Sequence, residues 1–332
     1  LRAGRFEVTR SALVDHGATF TLARPHRRNA FPPRAYAGLE AALQLGRRGY
    51  RVALAEGLTV LGGRVARERL LPGLSAWGRV ADYRTGQIAP MPNVDVYLDS
   101  RLTADDILGM EMQHVALAGG SHWRRDAVAR LHLAPIPTAA EMPVFSPDDL
   151  MAGQGPTGGR VVVYDDDHYY MGSIMAEMLV ARGCSVDFVT PAAVVAEWSK
   201  NTLEQGTIQR RLMEIGVRLH VSKAPEAIGS GGVTLGCLWT GLTNEIAADA
   251  VVMVTSRTPE DALYQQVMGL DWQGAGISSV KLIGDAAAPG PIAWATYAGR
   301  RYAEERDAAP LDDDLPCRRE IAGLLPHAPL TP

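Results

Sequence analysis

A strand, a helix and a second strand follow one another between residues 160 and 189, and this unit constrains the fold more tightly than anything else in the chain. Arg160-Val-Val-Val-Tyr164 is a β-branched run, residues 171–182 are rich in helix formers, and Ser185-Val-Asp-Phe-Val189 is again apolar and short. Two such runs joined by a helix-length segment read as parallel strands with a crossover, and a parallel sheet needs helices on both faces. The expected class is therefore α/β, of the Rossmann-like (FAD/NAD(P)-binding) type. The turn inside the unit is unusual. Where a nucleotide-binding unit carries glycines, this one reads Asp165-Asp-Asp-His-Tyr-Tyr170, longer by about two residues. Three carboxylates at a helix N-terminus satisfy its N–H groups and repel a pyrophosphate. The turn is read as a structural cap or a contact with another part of the protein, and His168 as a capping or packing residue rather than a metal ligand.

A second helix and strand occupy residues 37–56. Ala37-Gly-Leu-Glu-Ala-Ala-Leu-Gln-Leu-Gly-Arg-Arg48 is a helix of strong formers, Gly49 ends it, and Arg51-Val-Ala-Leu-Ala55 is the strand that follows. Glu56 comes 18 residues after Gly38, the spacing at which a Rossmann unit places the carboxylate for the adenosine ribose. An ordinary unit with an exposed Glu would look the same. Gly63 and Arg64 follow in a loop. Residues 94–98 and 114–118 read as short strands, with Thr103-Ala-Asp-Asp106 capping a helix between them and Gly119-Gly120-Ser121 turning after the second. Farther on, Val280-Lys-Leu-Ile-Gly-Asp285 is an apolar strand ending in a glycine that would let the backbone approach a ligand. Asp285 then offers a carboxylate to a sugar or ribityl hydroxyl, and Pro291 suits the start of a helix whose positive end favours a pyrophosphate. A plain helix cap fits Asp285 equally well.

Between these segments, residues 135–156 read as a proline-rich connector, residues 198–212 as one helix, and residues 229–232 as a turn in a meander. Trp123, with Arg124 and Arg125, reads as a rim aromatic beside solvated arginines. The order suggests a first domain split by a second: residues 36–156 and 241–310 bind FAD or ADP, and residues 157–240 form an inserted, degenerate NAD(P)-binding-like domain. Residues 1–35 hold seven Arg, two acids and no sustained periodicity. In place of the glycines before Gly38 stand Pro33 and Ala35, so this segment is taken as irregular, disordered or read out of frame. Residues 311–332, with Asp312-Asp-Asp314, read as a surface tail.

Bulk properties exclude several function classes. A net charge of -4 with both signs dispersed leaves no footprint for nucleic acid or an acidic membrane. No apolar run could span a bilayer and no secretory signal opens the chain, which points to a soluble, cytoplasmic protein. Cys184, Cys237 and Cys317 are too far apart for an iron–sulfur or zinc spacing. The chain starts at Leu1 and uses 30 Arg against three Lys, a bias of GC-rich coding DNA, and it reads as a portion of a longer protein.

Together these segments resemble the C-terminal half of the flavoprotein amine dehydrogenases and demethylases. That family contains trimethylamine, dimethylamine and histamine dehydrogenase and the N-methylproline demethylase type, within the wider NADH:flavin oxidoreductase group that includes 2,4-dienoyl-CoA reductase. The resemblance is carried by Ala37-Gly-Leu-Glu-Ala-Ala42, Leu71-Pro-Gly-Leu74, Thr103-Ala-Asp-Asp106, the run from Arg160 through the acidic turn to Met171, Asn201-Thr-Leu-Glu-Gln205 and Ile283-Gly-Asp285. It implies that FMN and a [4Fe–4S] cluster belong to a catalytic N-terminal barrel absent from this chain, and that ADP or FAD binds here, lined by Gly38, Glu56, Gly63, Arg64, Gly119, Gly284 and Asp285. No catalytic or metal-ligating residue is expected in this chain. Electrons would leave the parent enzyme for an electron-transfer flavoprotein. Two other functions fit the sequence: an FAD-dependent NAD(P)H oxidoreductase, and a non-catalytic nucleotide-binding module.

Overall fold

Short runs of valine, alanine and leucine pair into two parallel sheets in the computed structural model, which describes residues 19–22 and 36–308. In chain order come β1 (Thr19–Leu22), α1 (Tyr36–Arg47), β2 (Val52–Ala55), α2 (Val65–Glu68), α3 (Arg79–Ile88), β3 (Val94–Tyr97), α4 (Ala104–Leu108) and β4 (His114–Leu117). The chain then leaves through β5 (Ser121–Trp123) for β6 (Val144–Phe145), α5 (Pro147–Met151), β7 (Arg160–Asp165), α6 (Met171–Ala181), β8 (Ser185–Thr190), α7 (Gln205–Glu214) and β9 (Arg218–Val221). A meander of β10 (Lys223–Ile228), β11 (Gly232–Cys237) and β12 (Thr243–Ala247) precedes β13 (Ala250–Val254). Finally β14 (Arg257–Pro259) leads back to α8 (Ala262–Met268), β15 (Ser279–Leu282) and α9 (Ile292–Glu304).

The first sheet has the order β15-β4-β1-β2-β3 and the second β6-β13-β7-β8-β9. Every pairing within both is parallel. Strands β2, β4 and β13 are buried along their whole length, as strands covered on both faces must be. The two-stranded ribbon β5-β14 carries the chain out to the second unit and back.

Four expectations need correction. Residues 1–35 were expected to hold no regular element, yet Thr19–Leu22 forms the central strand of the first sheet, paired on both sides; Pro33 and Ala35 lie outside the described residues. The inserted unit is wider than residues 157–240, because β13 pairs with β7 over five residues and β6 pairs with β13. The segment read as a connector therefore supplies a strand and α5, whose Ser146 and Asp149 form a reciprocal capping box. The helix expected over residues 198–212 is broken. Leu203 adopts a left-handed φ of 63° between a short 3-10 turn and α7, with 91% of its surface exposed. The tail at 311–332 and Cys317 lie outside the described residues.

Other local readings hold. Gly49, at φ 87°, ends α1, and Thr103 with Asp106 caps α4 reciprocally. The first core forms where α1 meets α9: Leu39, Leu43, Val52, Leu54, Ala295 and Ala303 are all buried there. The contact is so close that a Cβ on Gly299 would lie 2.2 Å from the carbonyl oxygen of Ala37. A second core packs α6 between Val161, Val163, Phe188 and Leu212.

Candidate functional site

Two of the glycines predicted to approach a ligand lie close against other parts of the chain. A Cβ on Gly284, whose φ is 62°, would lie 2.5 Å from the Cβ of Ala37, so this glycine seats the turn after β15 against the start of α1. A Cβ on Gly119 would lie 2.7 Å from the Glu260 carbonyl oxygen. Gly38 is buried within the first turn of α1, and Gly63, at φ 50°, turns the chain into α2. Gly119 and Gly284 thus serve close packing within the chain. They nevertheless bring the ends of β2, β4 and β15 to one edge of the first sheet, beside the end of β1.

Glu56 stands at that edge, directly after β2. It is only 1% exposed, which removes the reading of an ordinary surface Glu. Its Oε1 accepts the N–H of Leu58 at 3.2 Å, and its backbone is tied to Tyr97 and Ser100. The carboxylate is thus held at a fixed place at the carboxyl end of the strand next to β1.

Asp285 is the hub of a buried ionic cluster. Oδ2 accepts from Arg257 Nη1 at 2.6 Å and Ser121 Oγ at 3.1 Å, with Arg64 Nη1 at 3.6 Å; Oδ1 accepts the N–H of Gly290 at 3.2 Å. Arg64 also meets Glu68 at 2.6 Å, and Arg257 donates to the Gly290 carbonyl at 2.8 Å. The carboxylate expected to wait for a hydroxyl is therefore largely engaged within the protein. Pro291 caps α9 rather than forming its first helical residue.

The acidic turn of the second unit is closed on itself. Asp165 Oδ1 accepts the N–H groups of Asp167 and His168, Asp166 Oδ2 accepts from Leu131 N at 2.9 Å, and Asp166 Oδ1 meets His168 Nε2 at 3.0 Å. A Cβ on Gly172 would fall 2.7 Å from the Asp165 carboxyl carbon. Burial pushes the Asp165 carboxyl up to about 7. Burial opposes the charge of His168, yet its hydrogen bond to Asp166 and the nearby charges of Asp165 and Asp166 raise its pKa. The left-handed His168 also reaches Thr190 Oγ1 at 3.4 Å. These carboxylates tie the turn to itself and to Leu131; α6 has Tyr170 at its N-cap with no side-chain cap, so the expected helix cap is not formed while the expected contact with another part of the chain is.

Between the two units lies a cleft of about 280 Å³. Arg64, Trp123 and Arg257 line it from the first unit and the ribbon, Asp167, Tyr169, Tyr170 and Trp198 from the second, and Pro291 and Trp294 from the start of α9. Trp123 is not a rim aromatic: it is 6% exposed, with the Arg257 guanidinium 5.3 Å from its ring and its backbone N–H donating to Asp148. Its neighbours stay solvent-accessible as expected, and each is paired: Arg124 with Asp126 and Arg125 with Asp149. Sequence reading missed Arg130, Trp198, Arg257 and Trp294, which come from segments remote from one another. No local spacing joins them.

Residues 145–246 match the family of OYE-like second alpha/beta domains. Histamine dehydrogenase from Rhizobium sp. 4-9 is 52% identical and superposes with a TM-score of 0.87 over 95% of this chain and 48% of its own. The chain is a homologue of amine dehydrogenases. Dimethylamine dehydrogenase of Hyphomicrobium sp. (strain x) is 32% identical to this amine-dehydrogenase homologue over 311 residues, 86% of this chain and 42% of that protein. 6-Hydroxypseudooxynicotine amine oxidase from Pseudomonas geniculata N1 is 43% identical, with a TM-score of 0.81 over 88% of this chain and 42% of its own. The chain thus spans less than half the length of each of these relatives. Among the described residues no helix is long and apolar enough to cross a membrane, and no cluster of His, Cys, Asp and Glu could hold a metal ion.

Proposed function

We propose that this chain is the nucleotide-binding portion of an amine-oxidising flavoprotein, and that its first unit holds ADP at the carboxyl ends of β1 and β2. The observation that carries this reading is Glu56, a buried carboxylate fixed after the strand adjoining the central strand, where the ribose hydroxyls of an adenine nucleotide can donate to it. The start of α1 is seated at the same edge by Gly284 and Gly299. Its positive end suits a pyrophosphate.

ADP fits better than FAD. A carboxylate offers about four lone-pair sites, and those of Asp285 are already approached by Arg257, Ser121, Arg64 and the Gly290 N–H. Little capacity remains for a ribityl hydroxyl. The second unit suits a dinucleotide poorly, because Asp165 takes up the Asp167 and His168 N–H groups at the turn where a phosphate would sit, and Asp166 beside it adds a second buried carboxyl group bound to Leu131. This argues against an FAD-dependent NAD(P)H oxidoreductase. In this reading amine oxidation belongs to an FMN- and [4Fe–4S]-bearing barrel of the parent protein, from which electrons pass to an electron-transfer flavoprotein. This chain's own residues bind and orient the adenine nucleotide and brace that barrel.

The test is the nucleotide content of the purified chain. Denaturation should release close to one ADP per chain from a colourless protein. A yellow protein releasing FAD would overturn the choice of ADP, and a chain with neither nucleotide nor measurable ADP affinity would overturn the reading as a whole.

A further inference from the structure

Three residues that line the cleft between the units carry a polar side-chain group with no hydrogen-bond partner among the described residues. The indole N–H of Trp123 is buried without a hydrogen-bond partner. The Arg130 guanidinium, at the mouth, makes no ion pair and lies 4.5 Å over the ring of Trp198. The carboxylate of Asp167, half-buried on the opposite wall, accepts no hydrogen bond. A buried donor left unpaired costs free energy that a ligand can recover.

The walls between these groups are aromatic. Tyr169 and Trp198 stand with ring centroids 5.5 Å apart at 54°, Tyr170 lies beside them, and Trp294 faces them from α9. Trp198 and Trp294 are 39% and 61% exposed at the mouth, apolar area that water solvates poorly. Arg64 is paired with Glu68 and Asp285 and Arg257 with Asp285, so Arg130 is the lining guanidinium that makes no ion pair among the described residues. The first turn of the thirteen-residue α9 adds the positive end of its dipole. A cation would meet the Arg130 guanidinium at the mouth. The space, just below the range of drug-sized sites, suits one or two rings.

We propose that this cleft is a second binding site, for a small planar aromatic anion, with its acidic group on Arg130 and its ring against Trp198 and Tyr169. The site is separate from the nucleotide edge at Glu56 and stands whether or not ADP binds there. Asp167 couples it to pH. Burial pushes this carboxyl up to about 6, against the pull of Arg130, Arg64 and His168, with Glu68 adding to the rise. Arg257 faces it across the cleft. Protonation removes the one like charge that opposes an anion, and His168 on the same turn gains its proton in the same direction. Binding therefore strengthens on acidification.

Calorimetric titration of the full chain with 2-naphthoate, 2-naphthylmethanol and 2-naphthylmethylamine tests this. The anion should bind roughly tenfold tighter than the neutral alcohol, and the ammonium weakest. Arg130→Gln, at an exposed position whose loss leaves folding unchanged, should remove the preference for the anion while leaving the alcohol unaffected; Arg130→Lys should restore part of it. Naphthoate affinity should rise as pH falls through about 6, and Asp167→Asn should flatten that rise. Equal binding of anion and alcohol, unchanged naphthoate binding in Arg130→Gln, no saturable binding, or complete displacement of naphthoate by ADP would each overturn the proposal.

Discussion

The two units share a sheet plan and differ at the edge where a nucleotide would lie. Each orders its strands so that a central strand, β1 or β7, is followed outward by the next two in sequence. After the second of these strands the first unit places Glu56, whereas the second ends in Thr190, whose hydroxyl is taken up by His168 and by the N–H of Ala192. After the central strand the second unit has Asp165 and Asp166, which bind the turn's own N–H groups and that of Leu131. On the function proposed above, one scaffold keeps its packing in both units and its anion site in only the first. A carboxylate built into the turn does the work a phosphate would do, permanently and from within.

The largest effect should come from the close contacts that hold each edge. Gly299→Val drives a side chain into the Ala37 carbonyl oxygen, 2.2 Å from the new Cβ, and should destabilise the first unit by about 3 kcal/mol or more in urea unfolding. Gly172→Ala meets the Asp165 carboxyl, a side chain, so its cost should be smaller, about 2 kcal/mol. Equal costs would mean that Asp165 is not held as tightly as its hydrogen bonds indicate.

Next comes pH. The Asp165 carboxyl, raised by burial to about 7, keeps its proton in the folded chain where the unfolded chain loses it near 4. Its contribution is therefore full below about 4 and is lost as pH rises through about 7. His168, also raised, acts in the same sense. Asp165→Asn keeps an acceptor for the two N–H groups but removes the ionisation. Relative to that variant, the wild-type chain should lose on the order of 2 kcal/mol between acid and neutral pH; parallel profiles would show Asp165 ionised in the folded turn. Smaller still, Glu56→Gln should weaken ADP binding by roughly tenfold with little change in unfolding. Thr190→Val should leave ADP affinity unchanged and cost about 1 kcal/mol of stability through the lost hydroxyl contacts.

What was legible in the sequence was local. Runs such as Val161-Val-Val163 and Val251-Val-Met-Val254, the Thr103 cap and the acidic turn carry their structure in their own residues. Pairing partners are not local. Val251-Val-Met-Val254 reads as a strand wherever it sits, and only its register with Val162-Val-Tyr-Asp165 assigns it to the second unit. The crossing between units passes through β5 and β14, three residues each, one of them a proline, too short for any period to show. Thr19-Phe-Thr-Leu22 was obscured by its arginine-rich surroundings. The helix α8 was missed because seven residues hold barely two turns of pattern. Of the predicted site, Glu56 is buried at the carboxyl edge of the first sheet and Arg64 joins Asp285 in an internal ion cluster, while Gly119 packs on the Glu260 backbone and Gly284 on Ala37.

Parallel titrations with ADP and NADPH, on the wild-type chain and on Glu56→Gln, bear most directly on the contrast between the units. ADP should bind saturably and lose affinity in the variant, and NADPH should show no binding that survives the Glu56 substitution. Tight NADPH binding unaffected by Glu56→Gln would place a working dinucleotide site in the second unit and contradict the assignment of its acidic turn as closed on itself.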